Sequence, residues 1–532
     1  MDRSIFISFF LLLLVAALVT VLKSRRQTNR TSVGYFLGSR SFNFWMIGCS
    51  IFLTNMSANQ FIGENEFVYT TNMSVIAWGM SSILAIIIVA ECLMPVYLRI
   101  GAVTTPDFLG LRFDKQTQQM VSVIFLLSYI VNLIPTVLYG CAVAMNGLFH
   151  IDERMGISYF AAIRILVVFI GIIGCLYTVL GGLRAITITD MVQGAGMVIG
   201  GVCITWLGLR YLGNGHLLAG LEELVSNNRE HLNAIGGPHD AIPFGTVFTG
   251  MLLINIYYWG MEQYIIQEAF ASKSLAESQK GLSLAAVGKL LAPLLLNVPG
   301  LIALQLYPHL DNTAAVFPKM VGDVLPPLMA GFIAAVVFGG ALSTFNAGLN
   351  SIGTLFIMNI YKPWLVKKNS DAGEAKLLRH AKLLQVAVTV GAVVFAPYIM
   401  LFSGGFYNYL QKAASFFSVP VFTIMLVGLI TKRVPAIAAK IGLVFFVIAY
   451  AGTQFFIDTR LHYLHVLAIL FLLTGGLMLL IGRFRPMEQR FQLPALSGAP
   501  LQPWRSRYFY YALLLVLMIS VFLVFSPVGL AR

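Results

Sequence analysis

Gly340, Ser343 and Thr344 stand at i, i+3 and i+4, so a helix over this stretch carries a bare backbone patch and two hydroxyls on one face. Neutral oxygens of this kind suit a hard monovalent cation, with carbonyls freed by an unwound helix as further ligands. The same residues also read as a Ser/Thr pair bonding back to its own helix. Elsewhere, Gln60, Asn255, Lys289 and Gln411 put amides and an ammonium at spanning depth on four different apolar segments. An intramembrane lysine is costly unless it faces a cavity or a partner. Beside Asn255, Tyr258 and Trp259 offer either a stacking face for a ligand or plain packing.

Two interrupted spans must position these groups. Thr54–Gly63 (Thr-Asn-Met-Ser-Ala-Asn-Gln-Phe-Ile-Gly) breaks an apolar run from about Phe44 to Tyr69, which is long enough to cross a bilayer. Hydrocarbon offers backbone and side-chain polar groups no partner, so such a run reads as a broken helix lining a cavity or as a polar helix–helix contact. The segment Asn255–Gln263 repeats the pattern five spans later. Paired broken helices in corresponding positions of two halves point to a transport cavity. Glycine pairs such as Gly181-Gly182 and Gly339-Gly340 read as tight turns or close packing.

Composition sets the environment. The 532 residues are 58% hydrophobic and only 11% charged, with a mean hydropathy of +0.82. Soluble domains carry about 25% charged residues, so the chain is a polytopic membrane protein. Apolar windows centre near residues 13, 57, 85, 132, 168, 198, 257, 294, 342, 390, 418, 444, 472 and 518, or about fourteen spans. The first, Ile5 to Leu22, lacks a small-residue cleavage site and reads as a retained span. With a cytoplasmic linker after it, alternation puts about 25 of the 35 Lys and Arg residues inside and about seven outside, and both termini outward. The net charge of +13 therefore reflects topology rather than nucleic-acid binding. The five cysteines lie in apolar spans at no metal-ligand spacing, which argues against disulfides and a zinc site. No P-loop is present, and no nucleophile–base pair stands out, so neither an ATP-driven pump in one chain nor an enzyme is expected.

Ordered matches along more than 300 residues carry a resemblance: Gly34–Arg40, Thr54–Gly63, Pro106-Asp107-Phe108 with Arg112-Phe113, and Tyr177 to Asp190. Tyr257–Gly260 with Gln263 and Gln267, Ala271–Ser274, Lys289, and Leu349–Ser351 through Ile360-Tyr361 continue it. The chain resembles the solute:sodium symporter family, most closely its sodium/glucose-cotransporter branch with the bacterial sodium/galactose symporter. The resemblance implies an all-α polytopic membrane protein built on two inverted five-helix repeats with broken first helices. The expected boundaries are 1–43 for an extra span and basic linker, 44–211 for repeat 1, 212–243 for an extracellular loop, 244–431 for repeat 2, and 432–532 for three C-terminal spans.

The implied function is sodium-coupled import of a sugar or similar polyhydroxylated solute, by a plasma-membrane monomer or loose homo-oligomer without organic cofactor. Other organic solutes (a sialic acid, carboxylate or amino acid) and a sensor-type homologue are the alternatives. By resemblance, the carbonyls of Leu53 and Met56 join Gly340, Ser343 and Thr344 around sodium, and Asp190 marks the ion's exit path; its alternative is an interfacial pairing with Arg184. Gln60, Ser82, Asn255, Lys289 and Gln411 would hydrogen-bond the solute, with Tyr258 and Trp259 against it. Five positions depart from the sugar branch. Gly79 stands where a glutamate is expected, Glu262 replaces an asparagine and Glu268 an arginine, and Glu64 and Glu66 replace small or apolar residues. Both of the last pair are expected at the outer interface in water, although Glu64 shares a helix face with Gln60 and is a candidate substitute for the acid missing at Gly79.

Overall fold

The structure, a computed structural model, describes residues 3–24, 31–238, 240–310, 312–367, 373–401, 406–457, 459–496 and 498–532. Among these there is no strand, only an isolated bridge between Phe42 and Ser272. The chain runs through α1 (Arg3–Ser24), α2 (Phe44–Asn55), α3 (Ala58–Thr70), α4 (Met73–Ile100), α5 (Lys115–Phe149) and α6 (Tyr159–Leu212). It continues through α7 (Gly250–Gly260), α8 (Gln263–Phe270), α9 (Leu275–Leu306), α10 (Pro327–Leu355) and α11 (Glu374–Phe395). The last are α12 (Phe406–Ile430), α13 (Ala436–Phe455), α14 (Tyr463–Phe484) and α15 (Arg507–Val524).

Ten helical segments of the described residues are long and apolar enough to cross a bilayer. One of them, α6, has 54 residues and would measure about 80 Å if straight, more than twice a bilayer's hydrocarbon. It breaks at Gly182, whose φ of 63° and ψ of −175° suit only glycine. The pair Gly181-Gly182 is therefore the tight turn expected of it, between two spans that the apolar windows at 168 and 198 separate.

Both expected interruptions occur. Helix α2 is capped by Asn43, whose side chain accepts from the Met46 amide, and it ends at Asn55. Ser57 is extended (φ −78°, ψ 173°) before α3 begins. Asn and Ser side chains compete for backbone bonds and so favour such a stop. Helix α7 ends at Gly260, Glu262 is extended (φ −64°, ψ 111°), and α8 resumes at Gln263. Gly260 sits so close to Val89 and Leu93 of α4 that any Cβ would collide with their side chains.

Burial sorts the helices. The spanning window of α4 is 83% buried and that of α15 only 11%, so α4 lies at the centre and α15 on the lipid side. Helix α2 packs against α6, α9 and α10, while α7 packs against α4 and α12. Exposed apolar side chains include Val390 of α11, Leu472 of α14 and Phe509 of α15. Large apolar surfaces on outer helices are what a lipid-facing protein requires.

Candidate functional site

The break after α2 meets the small-residue face of α10. Ser57 N–H turns to the Asn55 carbonyl, so the Leu53 carbonyl loses its usual helical partner. The Thr54 carbonyl accepts from Thr344 Oγ1 at 2.7 Å. Thr344 also bonds back to Gly340 O at 3.1 Å, but Ser343 reaches across the gap to Thr54 Oγ1 at 3.0 Å. A Cβ on Gly340 would come within 2.9 Å of the Met56 carbonyl, so glycine is what lets the two backbones meet. Gly340, Ser343 and Thr344 thus face Met56 and its neighbours, with Leu53 fully buried behind them. Of the two sequence readings of the hydroxyl pair, back-bonding alone accounts for neither residue.

Asp190 of α6 is 1% exposed and accepts a hydrogen bond from Ser50 of α2. It does not pair with Arg184, which donates to Ser41 at 3.3 Å; the interfacial alternative for Asp190 is overturned by its burial. Glu268 of α8 is fully buried in the same region, accepting from Thr54 Oγ1 at 3.4 Å with Oε2 unpartnered. Its replacement of an arginine was legible in the sequence; its position beside α2 was not.

A cavity of about 200 Å³ touches both interrupted segments and is lined by Gln60, Ser82, Asn255, Tyr258, Trp259 and Lys289 among others. Lys289 Nζ donates to Gln60 Oε1 at 3.4 Å and lies 6.0 Å from the Trp259 ring centroid, within cation–π range. Asn255 and Ser82 come together but are bound to each other. Asn255 Oδ1 accepts from Ser82 at 2.9 Å, and its Nδ2 donates to Ser81 at 2.8 Å. Tyr258 OH accepts from Asn55 Nδ2 at 3.0 Å. The Tyr258 and Trp259 rings meet edge to face, 5.5 Å apart, and the buried Trp259 Nε1 has no partner. The Gln411 side chain lies outside the described residues; its helix α12 contributes Ala414, Ser415 and Ser418 to the wall.

Glu64 requires a correction. Instead of sitting in water at the outer interface, it is 5% exposed, lines the cavity and accepts from Asn297 Nδ2 at 3.0 Å. The turn after Gly63 keeps the helix intact, so Glu64 stays on the face of Gln60 and points inward. Glu66 is half-buried and accepts from Thr313 at 2.6 Å, so it too is more than hydrated. Glu262, at the second break, accepts from Tyr129 OH at 2.5 Å. A Cβ at Gly79 would touch only the Lys289 carbonyl, at 4.0 Å, so the missing side chain leaves space. Tyr129, Asn132 and Thr136 of α5 also line the cavity and were not singled out from the sequence. Asn132, a lone amide within an apolar span, carried the signal that found Gln60 and Asn255.

The profile of the sodium:solute symporter family matches residues 35–445. The chain belongs to this family. The symporter is 39% identical to the uncharacterized symporter YidK of Escherichia coli strain K12, over 94% of this chain and 87% of that one. It is 28% identical to the sodium/glucose cotransporter of Vibrio parahaemolyticus, over 82% of each chain. In fold it matches a substrate-bound, outward-open Na+-coupled sialic acid symporter with a TM-score of 0.75 at 21% identity, covering 91% of this chain and 99% of that one. It is a multi-pass plasma-membrane transporter whose coupling ion is sodium.

Proposed function

We propose that this symporter imports a sugar or similar neutral polyhydroxylated solute with sodium by alternating access. The observation that supports this most is one small cavity that joins both helix breaks and presents amides, an ammonium and an aromatic pair. Aromatic faces suit the C–H side of a sugar, and amides and ammonium suit its hydroxyls. At about 200 Å³ the cavity is smaller than the roughly 300–1,000 Å³ of drug-sized sites, in keeping with a small solute. A carboxylate solute suits it less well. Among the described lining residues Lys289 is the only cation, and it already lies within Coulombic reach of Glu64.

On this reading Gln60, Ser82, Asn255, Lys289 and Gln411 bind the solute, with Tyr258 and Trp259 against it. Sodium is held by Gly340, Ser343, Thr344 and the Leu53 and Met56 carbonyls, and Asp190 lies on its exit path. Residues 44–211 and 244–431 form the inverted repeats, flanked by 1–43, the 212–243 loop and 432–532, with fourteen crossings in all. A tenfold sodium gradient supplies about 1.4 kcal/mol and a 100 mV potential about 2.3, enough together for nearly 500-fold accumulation per ion.

The test is uptake by reconstituted protein across a panel of sugars, polyols, carboxylates and amino acids, with sodium or choline at constant pH. A neutral polyhydroxylated solute should accumulate with sodium only. Accumulation of an acid or amino acid instead would overturn the substrate class, and uptake that persists in choline would overturn the sodium site.

A further inference from the structure

We propose that Glu64 is a substrate-binding and specificity-determining residue, whose carboxylate accepts hydrogens from hydroxyls of the carried solute. This rests on the polyhydroxylated-solute reading above. A polyol brings an O–H donor with every oxygen, so its site needs acceptors as much as donors. Several acceptors in this cavity are already engaged. Gln60 Oε1 receives the Lys289 ammonium, and Asn255 Oδ1 receives the Ser82 hydroxyl. Lys289 and Trp259 Nε1 can only donate. Glu64 adds a charged acceptor on the cavity wall, and hydrogen bonds to a charged group are roughly twice as strong as neutral ones.

Its aim is set by a neighbour. Asn297 of α9 engages Oε2, which leaves Oε1 as the oxygen for a solute. Asn297 and Lys289 sit on the same helix, eight residues apart, so α9 orients Glu64 and supplies its counter-charge. A carboxylate buried at this depth is tolerable because of that ammonium and that amide. The pair also leaves a neutral solute free of any net charge to compensate. Gly79 of α4 carries no side chain, so no acid at that position competes for the same hydroxyls, and Glu91 of the same helix is engaged by Arg507.

The experiment uses the full-length protein in proteoliposomes, with labelled D-glucose, D-galactose and myo-inositol as probes and their mono-deoxy analogues as competitors. Glu64→Gln should raise KM for the carried probe about ten- to hundredfold, while Glu64→Asp recovers part of the loss. In the unmodified protein one deoxy analogue should compete poorly with its parent; in Glu64→Gln the two should compete equally, because the hydroxyl has lost its acceptor. Sodium binding without solute, read by thermal shift, should be unaltered in Glu64→Gln, and Glu66→Gln should keep the parent KM. An unchanged KM in Glu64→Gln would overturn the assignment. So would a loss of thermal stability and sodium binding without solute, which would make Glu64 a counter-charge for Lys289 only. If the unmodified protein carries none of the three probes, the substrate reading itself fails, and the role of Glu64 with it.

Discussion

At Thr344 one hydroxyl joins two helices, donating to the Thr54 carbonyl at 2.7 Å as well as to its own helix. Its neighbour Ser343 meets the Thr54 hydroxyl at 3.0 Å and also borders the Asp190 carboxylate. Each is a side-chain oxygen within reach of a broken helix end, where a sodium ion would replace the hydroxyl-to-carbonyl contacts now made. Ser343→Ala and Thr344→Ala should therefore each raise the sodium needed for half-maximal uptake about ten- to hundredfold, the cost of one unmade polar contact. Thr344→Ser keeps the oxygen and should stay close to the parent. Sodium titrations of uptake check this, and equal half-saturation in all four proteins would remove these hydroxyls from the ion site. No carboxylate belongs to this trio, but Asp190 borders Ser343 directly and Glu268 lies one contact away through Thr54. The sequence separated these residues by tens to hundreds of positions.

Among the elements, the end of α12 shows how a buried charge can be structural. Arg112 is 1% exposed, and its guanidinium donates to the carbonyls of Gly428, Thr431 and Val434 at 3.0–3.1 Å. Gly428 O is one of the carbonyls that a helix C-terminus leaves without partners, Thr431 and Val434 O belong to the connection just beyond it, and a cation there also meets the negative end of the helix dipole. The ring of Phe113 lies 4.6 Å from the guanidinium carbon and that of Phe491 lies 5.2 Å from it. The Arg112-Phe113 pair, noted in the sequence as a family match, is thus a clasp between the α4–α5 connection and the C-terminal part of the chain. Arg112→Ala should destabilise the protein by about 3–5 kcal/mol, as expected when a buried charged network loses its donor. Arg112→Lys, with one ammonium in place of a planar fork, should fall between. Thermal unfolding in detergent tests both, and an unaltered midpoint in Arg112→Ala would show that the clasp carries no stability.

For the whole molecule, sidedness follows from charge and is supported by a contact. The Lys and Arg distribution puts the basic linker Lys23–Arg40 and the loop Tyr361–Lys382 both inside. In the fold the two meet, because the Ser32 amide and hydroxyl both donate to the Glu374 carboxylate, at 2.6 and 2.5 Å. They therefore share one face of the membrane. Single cysteines placed in either segment of a cysteine-free background should escape an impermeant thiol reagent in intact cells and react after permeabilisation. Labelling of either in intact cells would invert or break the proposed fourteen-crossing topology.

Polar groups stranded in apolar spans were legible because hydrocarbon forbids them unless they face something wet or paired. That single constraint pointed to both helix breaks and to Gln60, Asn255 and Lys289, helical spacing picked out the Gly340–Thr344 face, and the same constraint applied to Asn132 would have found the α5 wall. What it does not contain is which neighbour each group meets. Glu64 was expected in water because it lies near the end of its span, yet α9 covers it and brings Asn297 and Lys289 alongside. Ser82 and Asn255, both expected to reach a solute, bond each other because α4 and α7 pack face to face. Depth in the bilayer is a property of the sequence along one axis; partnership depends on the packing of helices from distant parts of the chain, and only the tertiary structure decides it.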